Sequence, residues 1–198
     1  MTINLDSVPT IVFVLVMCSW FTFAAIFLLR KKSEKTPDAK KDRASIIGLV
    51  LQALSYGLVW ALHRVPFSPI FPASRPVEIA FAIVTVALAF VSVWIVMAAV
   101  SALGKEWSLT ARLVEGHRLA TRGPYRFVRH PIYTGMLGML LATGLAISDW
   151  LTLFIAIIVF FIGTVIRVRS EEKLLREQFG AEFDAFARRV PAMLPGVY

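Results

Sequence analysis

Twenty consecutive residues without a charge, Thr10 to Leu29, constrain this chain more than any other feature it has. A helix satisfies its own backbone polar groups, so about 20 apolar residues can cross a bilayer core about 30 Å thick. The pattern recurs. Ala44 to Leu62 and Val77 to Leu103 are two further apolar runs, and Glu78 is the only charge in the second. Pro131 to Ile147 and Trp150 to Ile166 are shorter and are joined by Ser148-Asp149, so they read as a tight helical hairpin. Composition agrees. Hydrophobic residues make up 58% and charged residues 17%, with a mean hydropathy of +0.72, where a soluble domain carries about a quarter charged residues. The expected fold is all-α: a single multi-pass membrane domain over residues 1–198, with five spans at about 10–29, 44–62, 77–103, 131–147 and 150–166. After Ile166, the residues Leu174, Leu175, Phe179, Phe183 and Phe186 recur at helical spacing among charges. They predict an amphipathic helix over Arg167 to Arg189, stopped by Pro191 and Pro195.

The connections fix the orientation. Loop 30–43 holds seven Lys/Arg, segment 104–130 holds six, and the chain from Arg167 holds six, while the alternate side holds only Arg64 and Arg75. Nineteen of 21 positive charges therefore share one side. The positive-inside bias makes that side cytoplasmic, with the N-terminus outside. Residues 63–76 carry four prolines and form a rigid connection, and Pro76 suits a helix start.

Several alternatives fall away. Met1 to Pro9 has no Lys or Arg, and the run that follows is too long for a signal peptide, so it is expected to be a retained span. The single cysteine, Cys18, rules out an internal disulfide and a cysteine metal site. No metal partner is expected. The net charge of +8 follows from topology, and no basic stripe is interleaved with stacking aromatics, so no nucleic-acid partner is expected.

Charges beside a bilayer are expensive and mark function. They gather in two places. One runs from His117-Arg118 to Arg129-His130-Pro131-Ile132-Tyr133; the other is Arg167 to Glu171-Glu172. Pro131 disfavours a helical His130 and can itself open a helix, which holds His130 at a helix mouth with Tyr133 in the first turn. The N–H groups of that turn can receive an anion. The bland alternative is a capping histidine and an interfacial tyrosine. Arg167 and Glu171 are four apart on one helix face. Read blandly they are a surface pair; read functionally, a planar cation fixes an acidic group at the lipid boundary. Glu172 is expected to face elsewhere. Thr134, Gly138 and Ala142 form a small-residue line that suits close helix packing, or room for a ligand beside Tyr133.

The stretches LGKEWS, EGHRLATRGPYRFVRHPIYTG and IRVRSEEKLLREQFGAEFDAFARRVPAMLP together resemble the isoprenylcysteine carboxyl methyltransferase family, in particular its short five-span prokaryotic members. The likeness runs from Leu103 to Pro195; over the first two spans it is hydropathy alone. The RHPxY and EE elements are similar to those of phosphatidylethanolamine N-methyltransferases, and more loosely to those of NADPH-dependent membrane sterol reductases. The resemblance implies S-adenosyl-L-methionine as cofactor, bound by segments 104–133 and 167–195 at the cytoplasmic face. It implies cofactor contacts from His117, Arg118, Leu119 and Ala120, where Ala120 stands for the family's valine, and from Tyr125, His130, Pro131, Ile132, Tyr133 and Glu171. It also implies that Arg167 acts on a substrate carboxylate. The implied partners are a lipid-like small-molecule substrate and the surrounding membrane lipids, and the implied location is a prokaryotic inner membrane. A sulfonium donor is attracted to aromatic faces, and an ionised carboxylate acceptor needs no general base. An NADPH reductase would instead need a phosphate-binding group such as Arg118, Arg122 and Arg126.

Overall fold

The computed structural model describes residues 7–29, 40–41, 44–65, 68, 74–104, 112–113 and 119–193. The described residues form five long helices, α1 (Ser7–Leu28), α2 (Ala44–Ala61), α3 (Arg75–Leu103), α4 (Pro131–Ile147) and α5 (Trp150–Phe179), followed by the short α6 (Ala181–Ala187). A 3-10 turn covers Gly123–Arg126, and Lys40–Lys41 (β1) pairs antiparallel with Arg112–Leu113 (β2). The all-α expectation holds, apart from this two-residue pairing. Among the described residues four helices, α1, α2, α3 and α5, are long and apolar enough to cross a membrane. At 17 residues α4 falls just short of that length; it spans about 25 Å.

Both ends of α4 are nevertheless fixed at opposite ends of the bundle. Its first residue opens the charged site described below. At its other end Ser148 bridges His63, just after α2, and Ser148 Oγ donates to the Leu62 carbonyl (3.0 Å). Asp149 then caps α5, accepting from the N–H groups of Leu151 (3.0 Å) and Thr152 (2.9 Å). Such a cap satisfies donors that a helix start leaves free.

One boundary differs from expectation. Helix α5 does not stop at Ile166; it continues unbroken to Phe179. Nothing in Arg167–Phe179 breaks a helix, so the lipid boundary changes the side-chain chemistry without interrupting the backbone. The first interruption is Gly180, at φ 49°, a conformation that favours glycine. Of the five residues expected to face inward, Leu174, Phe183 and Phe186 are buried and Leu175 and Phe179 are half-buried. Arg176 ties the two sides of the bend, reaching Asp184 at 2.9 Å.

Glycine lets the helices approach closely. A Cβ on Gly48 of α2 would lie 2.5 Å from both the Gly163 carbonyl and Arg167 Cγ of α5. The small-residue line of α4 packs likewise against α3. Ser92 occupies the space beside Gly138, and Val96 that beside Gly135. Gly138 therefore leaves no room for a ligand, because α3 fills it. Between the helices Gln52 donates to Thr164 (2.8 Å), Tyr56 to the Met136 carbonyl (2.6 Å) and Trp20 to Thr143 (2.9 Å). Interhelical bonds of this kind support packing where lipid removes the hydrophobic drive between helices. Phe21, Trp94, Phe154 and Ile162 point outward, as lipid contact requires.

Candidate active site

The site is built where α4 begins and α5 leaves the apolar zone. His130 has φ −125° and ψ 61°, outside the helical region that Pro131 denies it, though short of fully extended. Pro131 then occupies the first turn and is almost wholly buried. The His130 carbonyl accepts from the N–H groups of Tyr133 (3.0 Å) and Thr134 (3.2 Å), so part of the first turn's donor set is already engaged within the helix.

From α5, Arg167, Glu171 and Glu172 meet this helix mouth. His130 Nδ1 lies 3.4 Å from Glu171 Oε2, and His130 Nε2 lies 3.2 Å from Glu172 Oε1. The Tyr133 hydroxyl donates to Glu171 Oε1 and accepts from Arg167 Nε (2.7 Å). Arg167 Nη2 is 3.6 Å from Glu171 Oε1. The His130 and Tyr133 rings stack with centroids 5.7 Å apart, and the Arg167 guanidinium stands 5.2 Å from the Tyr133 ring centre. Arg167 is buried, so the pair is no ordinary surface contact. Burial alone would lower the His130 pKa; its hydrogen bonds to Glu171 and Glu172 and the charges of both carboxylates outweigh it, and the pKa is raised.

The expected residues are thus brought together in large part. His130, Tyr133, Glu171 and Arg167 share one cluster. Tyr125, in the 3-10 turn, is buried, and burial together with the Glu171 charge raises its phenol pKa, which keeps the hydroxyl neutral. Ile132 packs against the apolar cluster of α1, α3 and α4. Leu119 and Ala120 are half-buried. His117 and Arg118 lie outside the described residues.

Two residues carry more than the sequence suggested. Glu172 does not face elsewhere; it is buried against His130, because the helix mouth is broad enough to meet two consecutive α5 positions. Arg129 is also buried. Its Nε donates to Glu172 Oε1 (2.9 Å), and its Nη1 donates to the carbonyls of Ala187 (2.8 Å) and Val190. The backbone follows the same path. Arg129 N–H donates to the Pro191 carbonyl, His130 N–H to that of Ala192 (both 2.8 Å), and Thr134 Oγ1 to that of Met193 (2.7 Å). The segment after α6 is therefore stitched along the helix mouth. The available signal was Arg129 beside a histidine, in a chain that places charge sparingly near lipid.

These features define a class: a multi-pass helical membrane protein with a buried ionic site at one end of its bundle. Residues 80–182, just over half of the chain, match the phospholipid methyltransferase family, and the chain belongs to it. The chain is similar to protein-S-isoprenylcysteine O-methyltransferase B of Arabidopsis thaliana, 31% identical over 86 residues, 43% of this chain and 44% of that protein. It is also similar to a probable protein-S-isoprenylcysteine O-methyltransferase of Oryza sativa subsp. indica, 34% identical over 79 residues, 40% of this chain and 41% of that one. A third relative is the nickel-cobalt-cadmium resistance protein NccN of Alcaligenes xylosoxydans xylosoxydans, 32% identical over 114 residues, 56% of this chain and 52% of that protein. The matched segment spans under half the length of the two plant relatives. The resemblance to isoprenylcysteine methyltransferases read from the motifs is borne out by these matches.

Proposed function

We propose that this chain is an S-adenosyl-L-methionine-dependent methyltransferase that works at the cytoplasmic face of its membrane and O-methylates the carboxylate of a lipid-like, isoprenylcysteine-like substrate. The observation that carries this reading is the meeting of His130, Tyr133, Arg167 and Glu171 at one helix mouth. The donor set fits the cofactor. Glu171 is the most open carboxylate there, with a quarter of its side chain exposed, and it can accept hydrogen bonds from ribose hydroxyls. Tyr125 and Tyr133 supply aromatic faces that attract a cation. S-adenosylmethionine, when bound, supplies a methyl group already activated on a sulfonium.

The chain's own residues supply position. Tyr133 and Glu171 hold the Arg167 guanidinium where the helix leaves the apolar zone. A bidentate guanidinium suits a carboxylate, and the acceptor's lipid tail stays in the bilayer. Rate enhancement then comes chiefly from alignment at near-attack distance. An amine acceptor would have to lose a proton. Glu172, the nearest further carboxylate, is already engaged by Arg129 and His130, which makes it a poor base. The family's description keeps phospholipid N-methylation as the second reading. An NADPH reductase is less well supported, since Arg122 and Arg126 are exposed and Arg126 lies over the Phe127 ring.

The test is methyl transfer from labelled donor to farnesylated cysteine analogues and, separately, to membrane phospholipids. Label in the carboxyl ester supports the reading; label only in phospholipid amines moves it to the second. Titration with S-adenosylhomocysteine against NADPH separates the reductase. Glu171→Ala is expected to lower S-adenosylhomocysteine affinity at least about a hundredfold, corresponding to loss of charged hydrogen bonds. Arg167→Ala is expected to spare that affinity while abolishing turnover.

A further inference from the structure

Glu171 and Glu172 are neighbours in sequence with opposite settings. The Glu172 side chain is 9% exposed and is surrounded by cations: its Oε1 meets Arg129 Nε and His130 Nε2, and its Oε2 lies 3.7 Å from Arg176 Nη2. The Glu171 side chain is 25% exposed. The imidazole of His130 lies between them, with each ring nitrogen facing one carboxylate.

That arrangement constrains the proton count. An ionised carboxylate only accepts, and a neutral imidazole has a single N–H. A neutral His130 would therefore turn a lone pair on one of the two carboxylates. A doubly protonated ring satisfies both. Arg129 makes the alternative, a protonated Glu172, unfavourable, because its guanidinium is tethered by the Ala187 and Val190 carbonyls and donates to the oxygen that faces His130. The other groups around the ring agree. Tyr133 stacks on it, Arg167 is linked to it through Tyr133 and Glu171, and the Tyr125 hydroxyl feels the Glu171 charge. The segment after α6 offers main-chain carbonyls here.

We propose that Glu172, held by Arg129, is a positioning residue that keeps His130 as an imidazolium, and that this buried cation fixes the Glu171 carboxylate with its open side toward the ligand. The ligand half rests on the donor-site reading above; the protonation half does not. A cation so placed holds Glu171 ionised and oriented while leaving a quarter of its side chain open.

The experiment is ring-nitrogen NMR on the ligand-free full chain in micelles. The chain has three histidines, His63, His117 and His130, and the His130 signals are those that His130→Gln removes. Both ring nitrogens of His130 are expected to be protonated at pH 7, with a midpoint raised above the ordinary value near 6.5. Glu172→Gln is expected to lower the midpoint by about one unit or more, and Glu172→Asp to keep it raised. A neutral single tautomer at pH 7, or an unchanged midpoint in Glu172→Gln, overturns the proposal. If Glu172→Gln does not fold, the wild-type spectrum alone decides.

The second arm titrates wild type with S-adenosylhomocysteine across the same pH range. Affinity is expected to fall about tenfold as pH rises one unit beyond the midpoint; affinity that ignores His130 ionisation overturns the ligand half. Absence of binding at every pH would overturn the donor-site reading and leave the NMR result standing.

Discussion

The two ends of the α4–α5 hairpin both hold a semi-buried or buried arginine, and they use it differently. At the turn, Arg64 meets neutral main chain. Its guanidinium donates to the carbonyls of Leu145 (3.0 Å), Ala146 (2.8 Å), Ser148 and Ser68 (2.7 Å). The carbonyls of Leu145, Ala146 and Ser148 are those of the α4 end, and a cation there suits the helix dipole. At the opposite end, Arg129, Glu172, His130, Glu171 and Arg167 form a row of alternating sign. A buried ion pair is weak evidence for stability, because desolvation offsets much of the attraction. The turn end closes two helices with two charges, Arg64 on the end of α4 and Asp149 at the start of α5. The other end assembles five charged or titratable groups where none is needed to close it. That difference, more than burial, singles out the second end as the candidate site.

The comparison breaks first at Arg129. Arg129→Met leaves the buried Glu172 without its main cation and removes the bonds to Ala187 and Val190. Breaking one side of a buried pair costs about 3–5 kcal/mol. Thermal unfolding is expected to show that loss, and limited proteolysis to cut the segment after α6 first. Unchanged protease resistance there would mean that the backbone bonds of residues 129–134 hold the segment without the side chain.

Arg64→Met is the matching change at the turn. It leaves neutral carbonyls, so the expected cost is smaller, about 1.5–3 kcal/mol for charged hydrogen bonds lost. S-adenosylhomocysteine affinity is expected to stay within about twofold, below 0.5 kcal/mol. A large fall in affinity would show that the two ends are coupled through α4, and would remove the contrast drawn above. Calorimetric titration beside a melting curve measures both.

How much of this was legible in the sequence follows from the same contrast. The apolar runs gave α1, α2, α3 and the hairpin closely, because lipid imposes length and composition on any helix that crosses it. Helix α4 was read at Pro131–Ile147, as observed, since Pro131 and Ser148 punctuate it. The apolar run ends at Ile166 while helix α5 runs on to Phe179, because hydropathy marks where lipid ends and not where a helix ends. At the site, His130, Tyr133, Arg167 and Glu171 were legible from spacing and family likeness. Arg129 and Glu172 were not. Their partners lie 43 positions apart along the chain, and no local periodicity links a helix mouth to a distant helix exit. The main-chain stitching by residues 190–193 was equally hidden, because backbone groups leave no mark in a sequence.

The smallest expected effect concerns pH, and it separates the two ends most cleanly. At the turn, Asp149 is lowered by its hydrogen bonds to Thr152, chiefly the side-chain one, so its contribution is present above the ordinary carboxylate value and is lost only in acid. Arg64, lowered by burial to about 10, stays charged across the neutral range. At the site the sign is reversed. His130 is raised in the folded chain, so its contribution is fully present below the unfolded value near 6.5 and fades as pH rises through the folded one. Each unit of raised pKa corresponds to about 1.4 kcal/mol, or roughly 3–6 °C of melting temperature in a chain of this size. Wild type is therefore expected to melt a few degrees lower at pH 9 than at pH 6, and His130→Gln to lose that difference while Arg64→Met retains it. A pH slope that survived in His130→Gln would assign the titration to another group, and the buried cation at the helix mouth would no longer distinguish the two ends.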